Sequence, residues 1–164
     1  MTVRRFGPDD AEAWRALRLR MLREAPTSFA TAHADWADRP LADWRRLLAE
    51  NRYVAAVDNG RPVGAMGLWP QTVASLRHRG TLIAVWLDPE FRGAGHASAM
   101  LREIEAIAEE LGLVQIELHV NADNARAIRF YRREGFDPIG RIPRALRHDG
   151  RDHDELLMVR RLDA

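Results

Sequence analysis

The chain has 164 residues, a length that suits one compact domain with a real core. Hydrophobic residues at 46% and charged residues at 30% exclude a disordered or fibrous polymer. With 25 basic and 24 acidic side chains the formal charge is +1, which leaves no broad electrostatic footprint for nucleic acid or an anionic membrane, so any anion site must be local.

Cysteine is absent, which removes disulfides, thiolate zinc sites and a cysteine nucleophile and is compatible with a reducing compartment. Arg4, Arg5, Asp9, Asp10, Glu12 and Arg15 interrupt the first twenty residues, so no signal-peptide hydrophobic region is expected there, and no run is long enough to span a bilayer. The expected location is cytoplasmic. No repeat, linker or low-complexity tract divides the chain, and residues 1–164 are read as a single domain.

Thr2 to Phe6 reads as a short strand. Pro8-Asp9-Asp10 then opens a helix with Trp14, Leu17 and Met21 on one face, ending near Pro26. Arg15, Arg18, Arg20 and Arg23 are expected on its wet side. Residues 27–40 read as irregular, anchored by Phe29 and Trp36, and a second helix covers Leu41 to Ala49. Tyr53 to Val57 and Val63 to Leu68 flank Asn59-Gly60, the pair that supplies the two positive-φ positions of a type I′ hairpin.

Thr81 to Leu87 is an almost unbroken apolar run, as a central strand covered on both faces requires. From Gly95 to Leu111 the apolar residues keep helical spacing until Gly112 stops the helix. Leu113 to Val120 is a two-faced strand, with Val114, Ile116, Leu118 and Val120 on one side and Gln115, Glu117 and His119 on the other. Asn121 to Asn124 caps a further helix to about Arg133, and Gly135 ends it. A polar loop, Arg141 to Asp152, is expected before a final strand near Glu155 to Arg160. His148, Asp149, Asp152, His153 and Asp154 have no recognised ligand spacing and read as solvated loop, so no metal is implied.

The sharpest signal is Arg92-Gly93-Ala94-Gly95-His96-Ala97, set between the apolar strand and the long amphipathic helix. Orphan N–H groups and the positive end of a helix dipole favour an anion there. Gly93 and Gly95 remove the Cβ atoms that would hold a pyrophosphate off those amides, and Arg92 adds a cation. A phosphate-loop NTPase does not fit, because Gly-Lys-Ser/Thr is missing and the chain has no lysine. A dinucleotide-binding protein fits poorly: Ser98 stands where the third glycine belongs, and Glu117 falls inside its strand.

These residues resemble the GCN5-related N-acetyltransferase (GNAT) family. Arg92 to Ala97 resembles its Gln/Arg-x-x-Gly-x-Gly/Ala pyrophosphate motif, and Asn124, Phe130-Tyr131 and Gly135-Phe136 resemble its second cofactor motif. The likeness is specific from about Leu82 to Phe136. It implies an α/β (α+β) acyl-CoA acyltransferase fold: a mixed, largely antiparallel sheet of six to seven strands, with about four helices on both faces. Its two middle strands, Thr81 to Leu87 and Leu113 to Val120, run parallel and part around the cofactor.

The resemblance further implies acetyl-CoA as cosubstrate and a small-molecule or peptide amine as acceptor. Backbone groups of Val85 and Leu87 would meet the pantetheine arm. Amides of Arg92, Gly93, Ala94, Gly95, His96 and Ala97 would hold the pyrophosphate. Asn124 and Tyr131 would sit beside the thioester, with Tyr131 protonating the departing thiolate.

For the base, two candidates stay open. A lysine-like amine costs about 4.6 kcal/mol to neutralise at pH 7 and an α-amine about 1.4 kcal/mol, so a nearby proton acceptor helps. His119, at a position where the ribosomal N-terminal acetyltransferase branch has a glutamate, ranks ahead of Glu117, because an imidazole suits proton abstraction at neutral pH. Glu117 would act through a bound water. A catalytically silent acyl-CoA-binding sensor is the alternative reading, and a homodimer is compatible with the chain.

Overall fold

The computed structural model describes residues 1–163. Along the chain run β1 (Thr2–Phe6), α1 (Ala11–Glu24), α2 (Leu41–Glu50), β2 (Arg52–Asp58), β3 (Arg61–Pro70), β4 (Arg79–Leu87), α3 (His96–Glu110), β5 (Gln115–Asn121), α4 (Ala125–Arg133), β6 (Asp137–His148) and β7 (Arg151–Arg161). The strands form one seven-stranded sheet in the order β1-β2-β3-β4-β5-β7-β6. Every neighbouring pair is antiparallel except β4 and β5. No helix of the described residues is long and apolar enough to cross a membrane.

Period-2 alternation in β2 assigns the two cores. Val54 and Ala56 join the layer that holds Met100, Leu101, Ile104 and Ile107 of α3. Tyr53 and Ala55 join the opposite layer, with Trp14, Leu17 and Met21 of α1 and Trp44 and Leu48 of α2. A lone 15-residue helix is marginal in water. Four fully buried side chains at about 1.5–3 kcal/mol each decide that α3 forms and where it docks.

The hairpin at Asn59 (φ 46°) and Gly60 (φ 80°) forms as the Asn-Gly pair requires. The centre of the sheet is less regular. β4 pairs β5 only at Arg79↔Gln115, Gly80↔Ile116 and Thr81↔Glu117, and the two strands separate beyond that point. On its other edge β4 bulges: Ala65 faces Trp86 and Gly67 faces Ile83, which leaves Ala84 and Val85 opposite Met66. Ala84 has φ 52°, a left-handed conformation a non-glycine residue seldom adopts inside a strand. Splay and bulge together turn the upper half of β4 into the wall of an opening.

Two expectations are corrected. Residues 141–152 are not a loop: β6 runs to His148, turns at Asp149 (φ 49°) and Gly150 (φ 75°), and returns as β7 from Arg151. The ribbon shows no apolar alternation because its outer part lies in solvent, where charges replace packing. Arg141 pairs Asp154 at 2.7 Å, Arg144 pairs Asp152 at 2.8 Å, and Arg147 also pairs Asp152. Nor are all the α1 arginines on a wet side. Arg18 is buried against the Phe29 ring, and Arg20 lies over Trp86 with its guanidinium 3.2 Å from Asp88. Segment 25–40 folds back over that face of α1, and periodicity within α1 carries no sign of it.

Candidate active site

Where β4 and β5 part, a cleft of about 1040 Å³ opens. Leu82 to Leu87 form one wall and His119, Val120 and Asn121 the other. Gly93, Gly95, Ala97 and Ser98 from the start of α3 and Asn124, Ala127, Phe130 and Tyr131 from α4 line it further. Trp14 and Arg18 of α1 reach it, with Phe29 and Trp36 from the segment after α1.

One end is built for an anion. Gly93 has φ 84° and Gly95, the N-cap of α3, has φ 82°, so both require glycine. A Cβ at either position would meet nothing within 4 Å and would project into open space. No side chain caps α3 and no acidic residue lies in its first turn, which leaves orphan amides facing that space. Arg92 is pinned at the rim by donating from Nε to the Leu87 carbonyl at 2.7 Å. Burial, then the neighbouring charge of Arg126, lowers the Arg92 guanidinium from its ordinary value. Two cations that repel one another here are relieved by an anion between them. The donor set therefore fits a pyrophosphate. Ala94 and His96 do not line the cleft through their side chains.

Deeper in, Tyr131 is 5% exposed and packs edge-on against Phe130 and Phe136, with centroids 5.4 and 5.8 Å apart. Its hydroxyl has no hydrogen-bond partner among the described residues. Burial pushes the phenol up from its ordinary value, so it keeps its proton at neutral pH. Asn124 is the N-cap of α4, its side-chain oxygen accepting from the Ala127 amide at 3.1 Å. That bond fixes the start of the helix that carries Tyr131, two turns on.

The two base candidates separate. His119 is 43% exposed, lines the cleft, and has Nδ1 3.4 Å from Glu155 Oε2 on β7. Glu117 sits where β4 and β5 still pair, does not line the cleft, and faces the Arg79 guanidinium at 3.1 Å. Val85 and Leu87 line the cleft. Glu155, Arg126 and Arg18 escape sequence reasoning because each reaches the cleft only through tertiary pairing. The one available hint was period 2 in β7, which sets Glu155 on the same face as Leu157 and Val159.

A model of the acetyltransferase (GNAT) family matches residues 14–136, and the chain belongs to that family. It is 31% identical over 132 residues to a mycothiol acetyltransferase of Brachybacterium faecium, covering 80% of this chain and 39% of that protein. The chain thus spans about two fifths of that curated relative. The fold matches an acetyltransferase of the GNAT family from Streptococcus pneumoniae with TM-score 0.87, 23% identity and coverage of 98% of both chains. It also matches a putative acetyltransferase from Salmonella typhimurium, solved with its cofactor acetyl-CoA: TM-score 0.83, 21% identity, covering 100% of this chain and 95% of that one.

Proposed function

We propose that the chain is an acetyl-CoA-dependent N-acetyltransferase that moves the acetyl group to an amine by direct attack on the thioester. The observation that carries this reading is the continuity of the opening between β4 and β5 with the uncapped, glycine-fronted amides of α3. A long, thin ligand with a diphosphate at one end matches that form.

In this reading the amides from Arg92 to Ala97 bind the diphosphate, with Arg92 and Arg126 balancing its charge. The edge of β4 that faces away from β3 at Val85 and Leu87 orients the pantetheine arm, and Asn124 holds the helix that presents Tyr131. The amine nitrogen forms a bond to the acetyl carbonyl carbon, and the carbon–sulfur bond breaks. His119, with Glu155 behind it, accepts the proton the nitrogen sheds, and Tyr131 supplies one to the thiolate. The position of Glu117 against Arg79 favours a role in holding the strand pair over one at the reacting atoms.

The test is release of free thiol from acetyl-CoA with a panel of amines, beside thermal melting with coenzyme A and with NAD. Amine-dependent release, with stabilisation by coenzyme A alone, is the expected result. Saturable binding without turnover on any amine would favour a silent sensor, and protection by NAD alone a dinucleotide site.

A further inference from the structure

Arg18, 9% exposed, is the only buried charged residue among the described residues. Its guanidinium lies 4.4 Å from the centroid of the Phe29 ring, and Nη2 donates to Thr31 Oγ1 at 3.1 Å. Nη1 is buried and has no partner. No carboxylate pairs with it, whereas Arg20, Arg79 and Arg160 each face one: Asp88 at 3.2 Å, Glu117 at 3.1 Å, and Glu105. Tyr53, its neighbour, is no counterion, because burial pushes that phenol up to about 12. Desolvation lowers Arg18 itself to about 10, so it stays charged at neutral pH with no carboxylate beside it among the described residues.

A second observation points the same way. Trp14 Nε1 and Trp36 Nε1 are also buried without partners, and both residues line the same cleft as Arg18. Trp14 stands one helical turn before Arg18 on the same face of α1. All three groups are donors only. A ligand that completes them brings acceptor oxygens and one negative charge.

We propose that the acceptor amine carries a carboxylate, and that Arg18, flanked by the indole N–H groups of Trp14 and Trp36, is the site that receives it. The proposal rests on the acetyltransferase reading above and names the substrate class of that same cleft. A carboxylate balances the single cation, whereas a phosphate dianion would leave a net charge in an apolar pocket. His119 and Tyr131 line the same cleft from β5 and α4, so an acceptor seated at Arg18 shares its cleft with both proposed proton-transfer groups.

Matched acceptors test it: glycine, leucine and phenylalanine against their amides, β-alanine and γ-aminobutyrate for length, and O-phosphoethanolamine against ethanolamine for phosphate. We expect kcat/KM for at least one acid to exceed that for its amide tenfold or more, with the difference in KM. In Arg18→Met the acid-to-amide ratio falls to near one. That variant also melts no lower than wild type without ligand, since an uncompensated buried charge has been removed. Arg18→Lys, which keeps the charge but loses the planar fork, retains part of the preference and serves should Arg18→Met not fold.

Amides matching acids in the wild type, or Arg18→Met keeping the preference, overturns the proposal. O-phosphoethanolamine outrunning every carboxylate overturns the choice of anion. Melting separates the two readings. Stabilisation by acetyl-CoA with none by any acid at millimolar concentration defeats this proposal alone. Absence of both acetyl-CoA stabilisation and thiol release defeats the transferase reading, while acid-dependent stabilisation lost in Arg18→Met upholds the anion site.

Discussion

His119 Nδ1 on β5 and Glu155 Oε2 on β7 stand 3.4 Å apart, at the edge of the cleft between β4 and β5. An Nδ1–H directed at the carboxylate leaves Nε2 as the acceptor and steadies the imidazolium that forms when a proton arrives. His119→Ala is predicted to lower kcat by about a hundredfold. Glu155→Gln, which keeps the shape but not the charge, is predicted to lower it by less. Raising the pH toward the amine's own pKa should restore part of the His119→Ala loss, because solvent can then supply neutral amine. Full activity in His119→Ala at neutral pH would move the proton acceptor elsewhere.

Tyr131 presents the opposite chemistry. Its phenol is held protonated by burial and has no internal partner, which suits a group that gives a proton away. Tyr131→Phe keeps the ring contacts with Phe130 and Phe136, so folding and acetyl-CoA affinity should change little while kcat falls about tenfold or more. Equilibrium binding of acetyl-CoA beside single-turnover rates checks both halves. Unchanged turnover removes Tyr131 from the acid role.

What the sequence made legible follows the range of the interactions. The Asn59-Gly60 turn and the glycines before α3 are local signals and appear where expected. β5 keeps its two faces but runs Gln115–Asn121, and Val114 lies exposed before it instead of on the apolar face. The parallel, parting pair of middle strands was legible only through family resemblance, since a three-residue ladder leaves no periodic trace. The β6–β7 ribbon reads as a loop because its registration is carried by Arg–Asp pairs instead of apolar alternation, although Asp149-Gly150 is the same kind of turn as Asn59-Gly60. Arg18 reads as solvated because helical periodicity describes α1 alone, and the segment carrying Phe29 and Thr31 covers it from outside that helix.

Gly67 is fixed by space. A Cβ there would lie 2.6 Å from Tyr53 Cε1 and 3.0 Å from Ile83 Cγ1. The Tyr53 ring has no room to retreat, being 4% exposed with the tilted Trp14 ring at 4.5 Å between centroids. Gly67→Ala is therefore predicted to destabilise the fold by about 1–3 kcal/mol, a fall in Tm of about 3–10 °C. Because Tyr53 and Trp14 line the cleft, KM for the acceptor should rise as well. Gly140→Ala, where an added Cβ meets nothing within 4 Å, is the control and should melt within a degree of wild type. Equal melting of the two variants would refute the packing argument.

Asp152 provides a pH test of the ribbon. Hydrogen bonds from Arg147 and then Arg144 hold its carboxyl at about 2, below the ordinary 3.8. A depressed folded value means that the pairing contributes fully above about 3.8 and is lost as pH falls from there through 2. NMR titration of the Asp152 carboxyl should give a midpoint well under 3.8, and Arg147→Gln should move it upward. The amides flanking Asp149-Gly150 should exchange faster below pH 3 than intrinsic rates explain, and Asp152→Asn should show that faster exchange already at neutral pH. Since the ribbon tip lies away from the cleft, Asp152→Asn should leave thiol release from acetyl-CoA unchanged. A normal midpoint for Asp152 would mean that solvent, and not the two arginines, surrounds its carboxylate.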